Sequence, residues 1–70
     1  MDNEKNFKEV HIGNVYKRRD GLLAFIYKFE PVTNYFMCII QDTGEVFPVD
    51  EYGNYSGNNE THNDLVMLVK

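Results

Sequence analysis

Along most of this chain, large apolar side chains recur with a period of two. Leu22 to Phe29 places Leu23, Phe25, Tyr27 and Phe29 on one side of an extended backbone and Leu22, Ala24, Ile26 and Lys28 on the other. That repeat belongs to a strand with one face in a core, not to a helix. Upstream, Val10, Ile12, Val15 and Tyr16 predict a first strand interrupted at Gly13-Asn14, a pair that tolerates the positive φ of a bend or bulge. Asp20-Gly21 predicts a two-residue type I′ hairpin turn, because both residues accept φ > 0.

Pro31 breaks the pattern within Glu30 to Asn34, since it has no N–H for a ladder. The near-continuous apolar run from Tyr35 to Gln41 predicts a central strand buried on both sides,. Asp42-Thr43-Gly44 predicts a three-residue hairpin with Gly44 left-handed, and Pro48 in the following segment, Glu45 to Val49, marks an edge strand,. Ser56 to Asn63 is polar loop, and Leu65 to Val69 is a last strand that would close the sheet. The whole predicts an all-β fold, a small barrel of about five antiparallel strands over residues 8–70, preceded by a flexible arm over residues 1–7.

A chain of 70 residues has room for one core, which removes only about 60% of the unfolded surface from water. With 43% hydrophobic and 26% charged residues, it lies in the globular range and outside the disordered one. Phe25, Phe29, Phe36 and Phe47 are the expected core aromatics, and Tyr27, Tyr35, Tyr52 and Tyr55 the expected surface ones,. Cys38 is the sole cysteine, so no internal disulfide forms. His11, Cys38 and His62 match no zinc spacing,. A metal and a cofactor are therefore not expected. Oligomerisation or a partner is the remaining source of extra stability, and a monomer or homodimer is expected. No apolar stretch reaches the roughly 18 residues of a membrane span, and no signal-peptide segment is apparent, so a cytoplasmic protein is expected.

Catalysis requires a nucleophile with its base, or paired carboxylates in a cleft. Ser56 is the sole serine, lies in a loop and has no sequence-linked partner, and a barrel this small fills its interior with side chains. No enzymatic activity is expected. Net charge is −4, and from Gln41 to Val69 the chain carries acids and no Lys or Arg. The basic cluster Lys17-Arg18-Arg19 reads first as the solvated end of a hairpin, then as an ionic contact. Alternation sends Arg18 to the opposite side from Lys17 and Arg19. Nucleic acid is the weakest reading, because phosphate gripping recruits many more cations.

Three stretches together, Tyr16-Lys17-Arg18-Arg19-Asp20-Gly21, Gly53-Asn54-Tyr55 and His62-Asn63-Asp64-Leu65-Val66, resemble a group of very short proteins encoded mostly by bacteriophages and prophages. Their opening hairpin reads Y-x-x-R-D-G, and their closing segments read G-x-Y and H-x-x-D-L-V. In this chain one residue, not two, separates His62 from Asp64. The resemblance spans Gly13 to Val69 and implies an SH3-like barrel in a bacterial host cell. Physically, the shared residues read as structural: Gly21 and Gly53 for turns, Tyr16 and Tyr55 for packing, Asp64 for capping a loop through backbone N–H groups.

Charge and resemblance together predict a protein-binding module that acts stoichiometrically on a host protein with a basic surface. Its target class would be a defence nuclease, a CRISPR effector or the transcription machinery. The expected contact residues are Asp42, Glu45, Asp50, Glu51, Tyr52, Tyr55, Glu60 and Asp64. Lys17, Arg18 and Arg19 are expected as an auxiliary ionic contact. Two alternatives are an oligomeric sponge for nucleotides or other small ligands built around those three cations, and an accessory nucleic-acid-binding barrel.

Overall fold

A computed structural model describes residues 5–56 and 59–70 of the chain. Five antiparallel strands form one sheet: β1 (Val15–Arg18), β2 (Leu23–Glu30), β3 (Tyr35–Ile40), β4 (Val46–Val49) and β5 (Leu65–Val69). Their order is β4-β3-β2-β1-β5, and the sheet curls into a half-barrel of the expected all-β, SH3-like kind. Pro48 lies in an edge strand, where its missing N–H costs no ladder bond,. Among the described residues there is no helix, and so none long and apolar enough to cross a membrane.

The inner face holds Tyr16, Ala24, Ile26, Cys38, Ile40, Phe47, Val49 and Leu65, joined by Val10 from the N-terminal segment. In β2 it is thus Ala24 and Ile26, not Leu23 and Phe25, that face the core. Tyr27 is the extra residue of a β-bulge, because Ile26 pairs with Cys38 while Lys28 pairs with Met37. The bulge shifts the alternation by one. Phe29, paired with Phe36, therefore returns to the inner side but at its open end, where it remains 38% exposed. Of the four expected core phenylalanines only Phe47 is buried. β3 likewise buries one side alone: Cys38 and Ile40 are sealed, while Met37 and Ile39 are half-exposed.

The turns correct two expectations. Gly21 N–H donates to the Arg18 carbonyl at 2.8 Å, and Arg18 N–H to that of Leu22 at 2.7 Å. The loop is therefore three residues, Arg19 to Gly21, with positive φ at Gly21 and not at Asp20. Asp20 instead uses its carboxylate to accept from Leu22 N–H and from the Arg18 guanidinium, which a type I turn closed by a left-handed glycine allows. The β3–β4 loop has four residues, Gln41 to Gly44, since Ile40 N–H meets the Glu45 carbonyl and Gly44 N–H meets that of Ile40. The β2–β3 loop has the same form, with Asn34 at φ 63° in the place of Gly44.

Residues 10–14 do not form a strand; Gly13 and Asn14 instead exchange backbone hydrogen bonds with Ile26. Residues 5–7 of the expected arm pack on the fold, and residues 1–4 of it lie outside the described residues. Lys5 Nζ donates to the Tyr52 carbonyl at 2.9 Å. Phe7 sets its ring edge-on to Tyr16, with centroids 4.9 Å apart. Asn6 uses its side-chain amide as a strand would, accepting from Leu68 N–H at 2.7 Å and donating to Leu68 O at 3.1 Å. It caps part of the β5 edge that sheet closure was expected to remove.

Cys38 is fully buried, and burial pushes its thiol up to about 12. The thiol should therefore resist an aromatic disulfide reagent at pH 8 in the folded protein and react at once in denaturant, as followed by thionitrobenzoate absorbance. Rapid labelling without denaturant would show that the β3 core opens readily.

Candidate functional site

The charged motif at the β1–β2 hairpin is spent internally. Arg18 is only 4% exposed, lies over the Phe47 ring at 5.1 Å, and forms a two-point ion pair with Asp20 plus a 3.7 Å contact with Glu45. The hydrogen bond to Asp20 raises its pKa still further, and the same bond holds the Asp20 carboxyl below its ordinary value. Arg18 does point opposite to its neighbours, but into the core, and is neither a solvated end nor a partner contact. Arg19 donates through Nε to the Thr61 carbonyl and through Nη2 to Asp64. Of the three expected cations only Lys17 is exposed.

Asp64, expected at the partner surface, is 2% exposed. Its carboxylate accepts from the backbone N–H groups of Tyr55 and Thr61 at 2.9 and 3.0 Å, and from the Thr61 hydroxyl at 2.9 Å. The loop-capping role expected from the chemistry of Asp64 is present; the contact role is corrected.

The remaining acids do not form one patch. Asp42 and Glu45 flank the β3–β4 turn, at the end of the sheet that holds Arg18, and Glu60 is exposed in the loop that leads to Thr61. Asp50, Glu51 and Tyr52 follow Val49, which pairs with Phe36 toward the opposite end. Asp50 is committed to a turn, since one of its oxygens accepts from Tyr52 and Asn54 N–H, both at 2.9 Å. Tyr55 is 46% exposed and tilts toward Phe47 at 6.3 Å.

A groove of about 540 Å³ lies beside Glu51, lined by Glu9, Val10, His11, Ile12, Phe29 and Phe36. Phe29 and Phe36 form a tilted pair with centroids 4.9 Å apart, held there by the Tyr27 bulge. The opposite wall is placed by Val10 N–H, which donates to the Glu51 carbonyl at 2.9 Å. Two carboxylates, Glu9 and Glu51, thus rim an aromatic and aliphatic floor. Their field reaches Tyr52, whose phenol is raised by hydrogen bonding to Glu51, then by the charges of Glu51, Glu9 and Asp50. Such a concavity suits the aliphatic stem of a lysine or arginine, or an apolar residue flanked by them, with the cation at the rim.

From the sequence Phe29 and Phe36 are expected in the core, and Val10 and Ile12 in a first strand, with no site expected at either segment. Among the described residues no group of three or more His, Cys, Asp or Glu side chains is placed to hold a metal. Comparison with family models, with curated proteins and with solved structures finds no match.

Proposed function

We propose that the chain is a small protein-binding module that takes a basic, apolar-bearing segment of its partner into the Phe29–Phe36 groove. The observation that carries this reading is the joining of an aromatic pair, exposed Phe29 on partly buried Phe36, to a carboxylate rim, in a chain of net charge −4. An aromatic anchor provides contact energy, and the rim provides encounter rate and orientation. In its most specific form the partner is a nucleic-acid-handling protein of a bacterial host, a defence nuclease or CRISPR effector among them, inhibited one to one. A basic channel would supply the cations, and an acidic protein would compete there with nucleic acid. That form rests on the resemblance to phage-encoded proteins. The nucleotide-sponge alternative loses its support, because Arg18 and Arg19 are engaged by Asp20 and Asp64.

A fluorescein-labelled peptide of alternating lysine and phenylalanine tests the groove by anisotropy. Binding should weaken as salt rises, and Glu51→Lys or Phe29→Asp should reduce affinity by about tenfold or more. Asp42→Lys, at the other end of the sheet, should change it little. Equal losses from Asp42→Lys and Glu51→Lys would mean that the peptide senses only net charge, and the groove would no longer be the site.

A further inference from the structure

Both outer edges of the sheet are blunted. Pro48 removes an N–H from β4, and the Asn6 amide takes up the Leu68 N–H and carbonyl on β5, so neither offers a full row of free groups to another strand. A third edge lies inside the sheet, because β2 has eight residues and β1 only four. Their ladder ends at Val15–Phe25, and Asn14 and Gly13 extend it by two bonds to Ile26. There the chain turns away: Asn14 N–H donates back to the His11 carbonyl at 3.3 Å, and His11 N–H donates to the Tyr16 hydroxyl at 3.0 Å. Beyond Ile26, β2 is laddered to β3 alone. Alternation then fixes which backbone groups are left over. The Glu30 carbonyl is turned to the β3 side, where it accepts from Asn34 N–H at 2.8 Å. One residue back, the N–H and C=O of Phe29 therefore point the other way, into the space past Gly13. Among the described residues no backbone hydrogen bond from outside the strands reaches Phe29, and its ring lines the groove.

We infer that this inner edge receives an extended segment of the protein partner, which pairs antiparallel with β2 through Phe29 and so continues the line of β1. The inference rests on the groove reading above and specifies how the ligand's backbone is held. A backbone donor and acceptor side by side select an extended polypeptide, the mode in which main-chain bonds hold a peptide and alternate side chains enter pockets. One ligand residue exchanges both N–H···O bonds with Phe29. Its side chain then lies on the same face as that of Phe29, which is the groove side, against the Phe29–Phe36 pair. Its two neighbours turn to the outer face, beside Lys28 and Glu30,. The carboxylates of Glu9 and Glu51 at the rim favour a basic segment over an acidic one,. A second copy of the chain does not suit the place: its own two outer edges are blunted, and its net charge of −4 opposes that rim.

The test uses the alternating lysine–phenylalanine peptide with methyl groups on chosen amide nitrogens, read by anisotropy and by amide hydrogen exchange. Methylating the phenylalanine amides removes the N–H that faces Phe29 and should weaken binding about tenfold or more. Methylating the lysine amides, which face away from β2, should change it by about twofold at most. In the free protein the Phe29 N–H should exchange faster than those of Lys28 and Glu30, which face β3, and saturating peptide should slow it by about tenfold or more. Equal affinities for the two methylated peptides would leave the groove reading standing and overturn this inference. Loss confined to the lysine-methylated peptide would set the strand parallel, against the inference. A peptide that binds in none of its forms would end both readings. Slow exchange of the Phe29 N–H in the free protein would overturn the inference with no peptide present, and slowing that grows with protein concentration would give the edge to a second copy instead.

Discussion

Asp64→Ala is expected to lower folding stability by about 3–5 kcal/mol, an amount comparable to the whole stability of many domains this small. The substitution leaves the N–H groups of Tyr55 and Thr61 and the Thr61 hydroxyl without their acceptor and removes the partner of Arg19 at 3.4 Å. Hydrogen bonds to a buried charge contribute more than neutral ones, and stranding several donors together is costlier than losing one. The effect has a pH signature. Burial alone would raise the Asp64 carboxyl, but the bonds from Tyr55, Thr61 and Arg19 outweigh it and hold the group below its ordinary value. The unfolded chain therefore takes up the proton first. Stability from Asp64 is complete above the unfolded value, near pH 4, and is lost as pH falls through the lower folded value. Urea melts from pH 7 to pH 2 should show an acid limb that Asp64→Asn flattens. An unchanged limb would place acid sensitivity elsewhere, with Asp20 the next group to examine.

Gly53→Ala should cost about 2–4 kcal/mol, from two separable causes. Gly53 is buried at φ 84°, a conformation that costs an L-residue about 1–2 kcal/mol. A Cβ there would also sit 3.2 Å from Leu65 Cβ and 3.4 Å from two atoms of the Phe7 ring. Neither neighbour can retreat easily: Leu65 is fully buried and its N–H donates to the Gly53 carbonyl at 2.8 Å. Gly13→Ala is the control, because Gly13 has φ 96° but nothing within 4 Å of the new methyl group. The difference between the two variants in chemical denaturation isolates the steric part. If they cost the same, the close approach of Phe7 and Leu65 carries no energy.

These two positions show why part of the fold was legible. The strand character of β2, the edge character of Pro48 and the left-handed glycines depend on local chemistry, and each is found where the sequence placed it. The Gly53 and Asp64 motifs were legible as structural residues because a turn glycine and a loop-capping aspartate act through nearby backbone. What stayed hidden depends on registers between distant segments. The Tyr27 bulge has no composition signal, yet it decides that Phe25 faces outward and that Phe29 and Phe36 open a groove. Arg18 looked like a surface cation because nothing in the sequence shows that Phe47 and Glu45 meet it from β4 and its approach. A single acidic surface was inferred from net charge, whereas register sends Asp42 and Glu51 to opposite ends of the sheet.

The conspicuous ionic motifs, Arg18 with Asp20 and Arg19 with Asp64, hold the fold together, and the proposed function assigns recognition to the groove beside the Tyr27 bulge. Backbone amide shifts recorded by nuclear magnetic resonance during titration with the unlabelled lysine–phenylalanine peptide test this most directly. The perturbed amides should cluster at Glu9 to Ile12, Phe29, Phe36, Glu51 and Tyr52, with Lys17 to Gly21 and Thr61 to Asp64 unmoved. Perturbations centred on those last two segments, with the groove silent, would contradict it.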